Sequence, residues 1–204
     1  MIDDPDQEHI RDCLSATKAT RDRGFTALFE KYHEKVFNTA YRITGDAALA
    51  SDATQETFLS VYQKISKFHQ QARFSSWLYR IAVNFSIDRK RKASKEPQIL
   101  SEDVGPESDS HEWDIVDLKS VDPESLASSK EFDSRIQQVI SRLSEPLRVV
   151  VVLRFMNGQS YKEIGEILGC SIGTVKSRIN RAMAALEPLL SPILEEERGE
   201  RRDS

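Results

Sequence analysis

Ser171, Thr174, Lys176, Ser177, Arg178, Asn180 and Arg181 crowd into one short stretch of the chain. Arginine, asparagine and serine suit hydrogen bonding to base edges, and lysine suits phosphate, so the chemistry on offer is recognition of duplex DNA. Their spacing predicts a helix that turns Val175 and Ile179 inward and these polar residues outward. Just upstream, Ser160 and Glu163 have the spacing of a capping box that opens a helix carrying Ile164, Ile167 and Leu168. Gly169 supplies a tight turn where a side chain would be costly at positive φ, and Ser171 is placed to cap the second helix. Gly165, Gly169 and Val175 sit where a helix-turn-helix needs a small residue, a turn glycine and a buried β-branched residue. The stretch from Ser160 to Arg181 is therefore expected to bind a specific DNA site.

Chemistry of other kinds is not assembled. Cys13 and Cys170 lie far apart, with no CxxC and no clustered histidines, so neither structural zinc nor a disulfide framework is expected. No nucleophile with an adjacent base and no phosphate-binding glycine loop can be found, so no enzyme and no cofactor are expected. No apolar run approaches the roughly 18 residues needed to span a bilayer. The acidic N-terminus lacks a signal-peptide core, which together predicts a cytoplasmic protein without membrane insertion.

The elements that must position these residues are helical. Of the 204 residues, 39% are hydrophobic and 30% charged, with only 8 glycines, the profile of an all-α chain. Phe25, Leu28, Phe29, Tyr32, Val36, Phe37, Ala40 and Tyr41 form an amphipathic stripe that Gly45 ends, and Asp46 is placed to cap the next helix. There Ala53, Phe58, Val61, Tyr62 and Ile65 are expected inward, with Asp52, Gln55, Glu56, Leu59 and Gln63 on the opposite face. After a loop from Lys67 to Arg73, Ser75 or Ser76 can cap a third helix from Trp77 to about Lys92, buried through Trp77, Leu78, Ile81 and Phe85. Phe132, Ile136, Val139, Ile140 and Leu143 start a second module. Ser144 and Pro146 open its next helix, and the valine-rich run to Phe155 is read as helix because no partner strand exists. Pro188 and Pro192 are expected to end the last helix.

The net charge of −4 conceals a segregation. A basic block of Arg89, Lys90, Arg91, Lys92 and Lys95 is followed by an acidic run from Glu96 to Glu124, opposed only by Lys119. The expected organisation is an N-terminal extension (1–22), a helical domain (23–94), an acidic flexible linker (95–129), a helix-turn-helix domain (130–192) and a disordered tail (193–204). Trp113, Ile115, Val116 and Leu118 form an apolar island in the linker, either a docking segment or a short turn of helix.

A helix-turn-helix of this kind fits two classes, a dimeric activator of the response-regulator type and a sigma subunit of bacterial RNA polymerase. A receiver domain would need alternating strands, and residues 25–92 show none. Asp52-Ala53-Thr54-Gln55-Glu56-Thr57-Phe58 resembles the D-A-x-Q-E-x-F signature of the extracytoplasmic-function sigma factors. Phe74 to Asn84, followed by Asp88 and Arg91, resembles that family's promoter-melting segment, and Ser160 to Arg181 resembles its reader of the upstream promoter element. The resemblance implies that 23–94 is sigma region 2 and 130–192 is region 4. It implies that Asp52, Gln55, Glu56 and Leu59 dock on the clamp helices of the polymerase's largest subunit. Arg80, Asn84, Asp88, Arg91 and Lys92 would meet the −10 element, with Arg89 and Lys90 supplying phosphate contacts. The loop from Phe68 to Phe74 would capture an unstacked base there, although Phe74 and Trp77 are expected as core and His69 as a solvated residue. Ser171, Thr174, Lys176, Ser177, Arg178, Asn180 and Arg181 would meet the −35 element, and an anti-sigma factor is a further implied partner. Elements about 16 base pairs apart are separated by roughly 55 Å. A linker of about 35 residues spans roughly 30–36 Å on average and can extend past about 100 Å, so it reaches.

Overall fold

In the computed structural model, described for residues 4–68, 72–94 and 123–200, every regular element is helical. His69, the apolar island at Trp113 and the acidic run from Glu96 to Asp122 lie outside the described residues. Four helices build the N-terminal module: α1 (Gln7–Cys13), α2 (Lys18–Thr44), α3 (Ala47–Lys64) and α4 (Phe74–Ala93). The C-terminal module comprises α5 (Pro123–Ser141), α6 (Glu145–Val151) with a π-helical turn Val152–Met156, α7 (Tyr161–Leu168) and α8 (Ile172–Glu200).

The periodic stripes set the packing. Leu28, Tyr32 and Val36 of α2, Phe58 and Val61 of α3, and Phe74, Leu78 and Ala82 of α4 bury together with Ile10 and Cys13 of α1. Gly45 ends α2 in the left-handed region, and the Asp46 carboxylate accepts from the Leu49 amide at 2.8 Å to start α3, as its sequence requires. The valine-rich run is helical, as expected. Its side chains face both the helix-turn-helix and the N-terminal module, so burial on two sides explains a run that resembles a strand by composition.

Several local expectations are corrected. Tyr62 is 51% exposed, standing outside the α3 core beside Phe25. Helix α4 begins at Phe74 rather than Trp77, and no side chain of its own first turn caps it. Its buried line is Phe74, Leu78 and Ala82 toward one core and Tyr79 and Val83 toward another, while Trp77, Ile81 and Phe85 are only partly buried. Ser144 stands at the N-cap of α6 without a side-chain cap hydrogen bond. Helix α5 begins at Pro123, within the span expected as linker. Pro188 and Pro192 do not end α8. Each removes a helix hydrogen bond, but Leu186, Leu189 and Leu190 pack against Val139 and Leu143, and that burial keeps the chain helical through them.

The modules share a core. Ile43 of α2 and Tyr79 and Val83 of α4 are buried against Val149, Val150 and Leu153, and against Ile164 and Ile167 of α7. Helices α4 and α7 lie directly against each other.

Candidate nucleic-acid interface

The helix-turn-helix follows from its local sequence. Ser160 Oγ accepts from the Glu163 amide at 3.3 Å, while a Glu163 carboxylate oxygen accepts from the Ser160 amide at 2.8 Å, completing the capping box. Burial alone would raise the Glu163 carboxyl, but the Ser160 bonds and the nearby Arg73 and Lys162 charges hold it below its ordinary value. Gly169 adopts φ +62°, and Ser171 Oγ accepts from the Thr174 amide at 3.1 Å to cap α8. At Gly165 a Cβ would meet the Cys170 carbonyl oxygen at 2.9 Å, so the two helices approach only because that side chain is missing. Val175 and Ile179 are buried as expected.

Lys176, Ser177, Asn180 and Arg181 are thereby exposed, with Thr174 and Arg178 partly so. Among the described residues no ion pair engages Lys176, Arg178 or Arg181. Unpaired cations on a helix face suit an anionic partner.

On α4, Arg80, Asn84, Asp88, Arg91 and Lys92 are all exposed at helical spacing. Two of them are engaged by the other module. Arg80 donates to the main-chain carbonyl of Glu166 in α7, and Arg91 pairs with Glu145 at 2.7 Å. Arg73, at the mouth of the loop before α4, pairs with Glu163 at 3.3 Å. One cleft is lined by Arg80 of α4 together with Gly169 and Ser171 of the helix-turn-helix, so the two candidate DNA faces meet at one edge. A second, at the start of α4, is lined by Lys67, Phe68, Ala72, Ser76, Trp77 and Arg80, and on the far side by Glu166 of α7. The Ser76 hydroxyl, expected as a possible cap, is instead buried, with no hydrogen-bond partner among the described residues.

Arg89 and Lys90, expected at DNA phosphates, are engaged by groups of their own module. Arg89 spans to α3, bonding Glu56 at 2.5 and 3.1 Å and Asp52 at 3.3 Å. Those bonds hold the Glu56 carboxyl below its ordinary value. Lys90 donates to the Ile43 carbonyl at 3.1 Å, and burial followed by the Arg148 charge lowers its pKa. On the outer face of α3, Asp52 and Gln55 are exposed, Glu56 is partly so, and Leu59 is 57% exposed. Tyr62, three residues beyond Leu59 on α3, extends that face with apolar surface. A protein partner suits it better than solvent does.

Sequence reasoning missed two groups. Arg148, hidden in an apolar run, is buried and bonds main-chain carbonyls of both modules. Asp4 and Asp6 were visible only as an acidic N-terminus, since a tertiary contact over such a separation leaves no periodic signal.

A capped helix-turn-helix beside a second helical module with a polar, partly basic helix defines a DNA-binding transcription factor. Family comparison sharpens this. The Sigma-70 region 2 family matches residues 28–96 and the Sigma-70 region 4 family matches residues 133–186. The ECF RNA polymerase sigma factor SigW of Bacillus subtilis is 36% identical over 184 residues, 90% of this chain and 98% of that relative. CnrH, solved in complex with the cytosolic domain of CnrY, shares the fold at a TM-score of 0.67 and 22% identity, covering 93% of this chain and 99% of its own. RpoE from Bartonella quintana, solved with the anti-sigma factor NepR, does so at 0.61 and 24% identity, covering 82% and 96%. The chain belongs to the extracytoplasmic-function group of the sigma-70 family of RNA polymerase sigma factors, alternative sigma factors of transcription initiation. The region 2 match occupies the place a receiver domain would need, which sets the response-regulator reading aside.

Proposed function

We propose that the chain directs core RNA polymerase to promoters through three separate surfaces. Asp52, Gln55, Glu56 and Leu59 dock on the clamp helices of the polymerase's largest subunit. Arg80, Asn84, Asp88, Arg91 and Lys92 engage the −10 element and help to open it. Ser171, Thr174, Lys176, Ser177, Arg178, Asn180 and Arg181 read the −35 element from the major groove. The observation that carries the reading is the capped, glycine-turned helix pair, which buries Val175 and Ile179 while leaving Lys176, Arg178 and Arg181 without an ion pair among the described residues. The domain limits follow the same division, with region 2 on α2–α4 and region 4 on α5–α8.

The packed arrangement is a closed form. Promoter elements roughly 55 Å apart cannot be read by modules whose helices α4 and α7 touch. Engaging a promoter therefore separates them and frees Arg80, Arg91 and Arg73 from Glu166, Glu145 and Glu163. An anti-sigma factor acts by covering the same surfaces. The described helices include none long and apolar enough to cross a membrane, in keeping with a place in the cytoplasm beside polymerase and DNA.

Purified protein added to core polymerase should give run-off transcription from its own promoter. Glu56→Ala should lose core binding, and Lys176→Ala with Arg181→Ala should lose −35 dependence alone. No promoter-dependent initiation would overturn the reading.

A further inference from the structure

The first residues of the chain reach the start of the −10 helix. Asp4 Oδ2 accepts from the Phe74 amide at 2.7 Å, and Asp4 Oδ1 accepts from the Asp6 amide at 3.0 Å. Phe74 is the first residue of α4, whose opening N–H groups have no partner within the helix. Arg73 occupies the N-cap position without a cap bond, and the Ser76 hydroxyl makes none. The missing cap is thus supplied from a segment 70 residues away. A carboxylate there also favourably meets the positive end of the helix dipole.

The segment that brings this cap is anchored two residues further on. Asp6 is fully buried, paired with Lys31, and accepts from the Tyr32 hydroxyl at 2.5 Å. Burial, and next the bond to Asp6, push the Tyr32 phenol pKa up, so it stays a donor. The Tyr32 ring packs on Phe74 with centroids 5.7 Å apart, and Phe74 in turn meets Phe68 and Trp77. Helix α1 lies close against α2. At Gly24 of α2 a Cβ would meet the Asp12 Cβ at 2.7 Å and the Cys13 amide nitrogen at 2.8 Å, so the two helices are in backbone contact.

We infer that Asp4 is a positioning residue for −10 recognition: it fixes the first turn of α4 and so the cleft formed by Lys67, Phe68, Ala72, Ser76, Trp77 and Arg80. The inference rests on the sigma-factor reading of α4 and adds to it the N-terminal segment, which the region 2 match from residue 28 does not include. The cleft would receive an unstacked base of the non-template strand. Its aromatic wall, Phe68 and Trp77 at 5.2 Å between centroids, suits a base face.

The test uses holoenzyme reconstituted from core polymerase and full-length protein. Affinity is measured for core, for duplex promoter DNA and for single-stranded non-template DNA spanning the −10 element. Wild-type binding to the single strand tests the sigma reading by itself. Asp4→Ala should then weaken single-strand binding about fivefold, the scale of a lost helix cap, with core affinity unchanged. Asp4→Asn, which keeps the acceptor, should restore it, and Asp12→Ala, on α1 but paired with Arg23 at the surface, should have no effect. Unchanged single-strand binding by Asp4→Ala would overturn the inference. So would a parallel loss of core and single-strand affinity, failure of Asp4→Asn to restore binding, or an equal defect in Asp12→Ala.

Discussion

Arg148 Nη1 donates to the main-chain carbonyl of Ile43 at 2.8 Å, across the boundary between the two modules. Arg148 is only 6% exposed, and its guanidinium also bonds the carbonyls of Ile140, Ser141 and Leu143. The ends of α2 and α5 thus converge on one cation, at the pole of each helix where positive charge is favourable. Asn157 adds a second link, donating to Thr39 Oγ1 at 2.8 Å, and Arg42 a third, pairing with Asp133 at 2.5 Å.

Arg148→Met keeps an apolar stem but takes the guanidinium from the Ser141 and Leu143 carbonyls, while the Ile43 carbonyl keeps Lys90 and the Ile140 carbonyl keeps the Leu143 amide. Unsatisfied buried acceptors predict a loss of about 2–4 kcal/mol. Urea unfolding measures it, and a change within about 0.5 kcal/mol, the range of ordinary surface substitutions, would show that water replaces the guanidinium.

Gly165→Ala sets two effects against each other. Alanine gains about 1 kcal/mol of helix propensity, but its Cβ would lie 2.9 Å from the Cys170 carbonyl oxygen. That obstacle is backbone on a tight turn, so overpacking at about 1–3 kcal/mol should win. The variant should melt earlier and bind −35 DNA more weakly. A raised melting temperature would mean that the turn yields.

Arg178→Ala should weaken promoter binding by about 1–3 kcal/mol, as expected for loss of a base-edge contact, while polymerase binding stays intact. Competition binding to promoter and to core separates the two. Loss of core binding would show that α8 presents a different surface from the one assigned.

Glu56 gives a pH dependence with a definite sign. Its folded pKa is depressed below 4.5 by Arg89, so its contribution is fully present above about that pH and fades as pH falls through the folded value. The pair is partly exposed, which limits it to a few tenths of a kcal/mol. Glu56→Gln should therefore unfold slightly earlier than wild type at neutral pH, and the gap should close in acid. A gap that persists once acid has protonated the carboxylate would assign the effect to packing instead.

The helix-turn-helix was legible because every part of it is local. Ser160 and Glu163 are three residues apart, and Gly165, Gly169 and Val175 follow at fixed spacing. The outward face of α3 was legible for the same reason. What the sequence hid depends on distant partners. Tyr62 and the start of α4 were misplaced because periodicity cannot tell a buried line from its neighbour, nor see the cap that Asp4 brings. The cations Arg89, Lys90 and Arg148 look alike in sequence, yet one is tied to carboxylates and two to the Ile43 carbonyl. Pro188 and Pro192 stop a helix by local rules, and only the packing of Leu186, Leu189 and Leu190 on α5 overrides them.

The proposed closed form opens onto a promoter. Spin labels at Ala48 of α3 and Ala185 of α8, both exposed and outside the assigned surfaces, report the distance between modules. With Cys170 replaced by serine and Cys13 left buried, double electron–electron resonance on the free protein should give one short distance. Adding core polymerase and promoter DNA should lengthen it by tens of ångströms, on the scale of elements roughly 55 Å apart. A distance unchanged in the promoter complex would contradict the account.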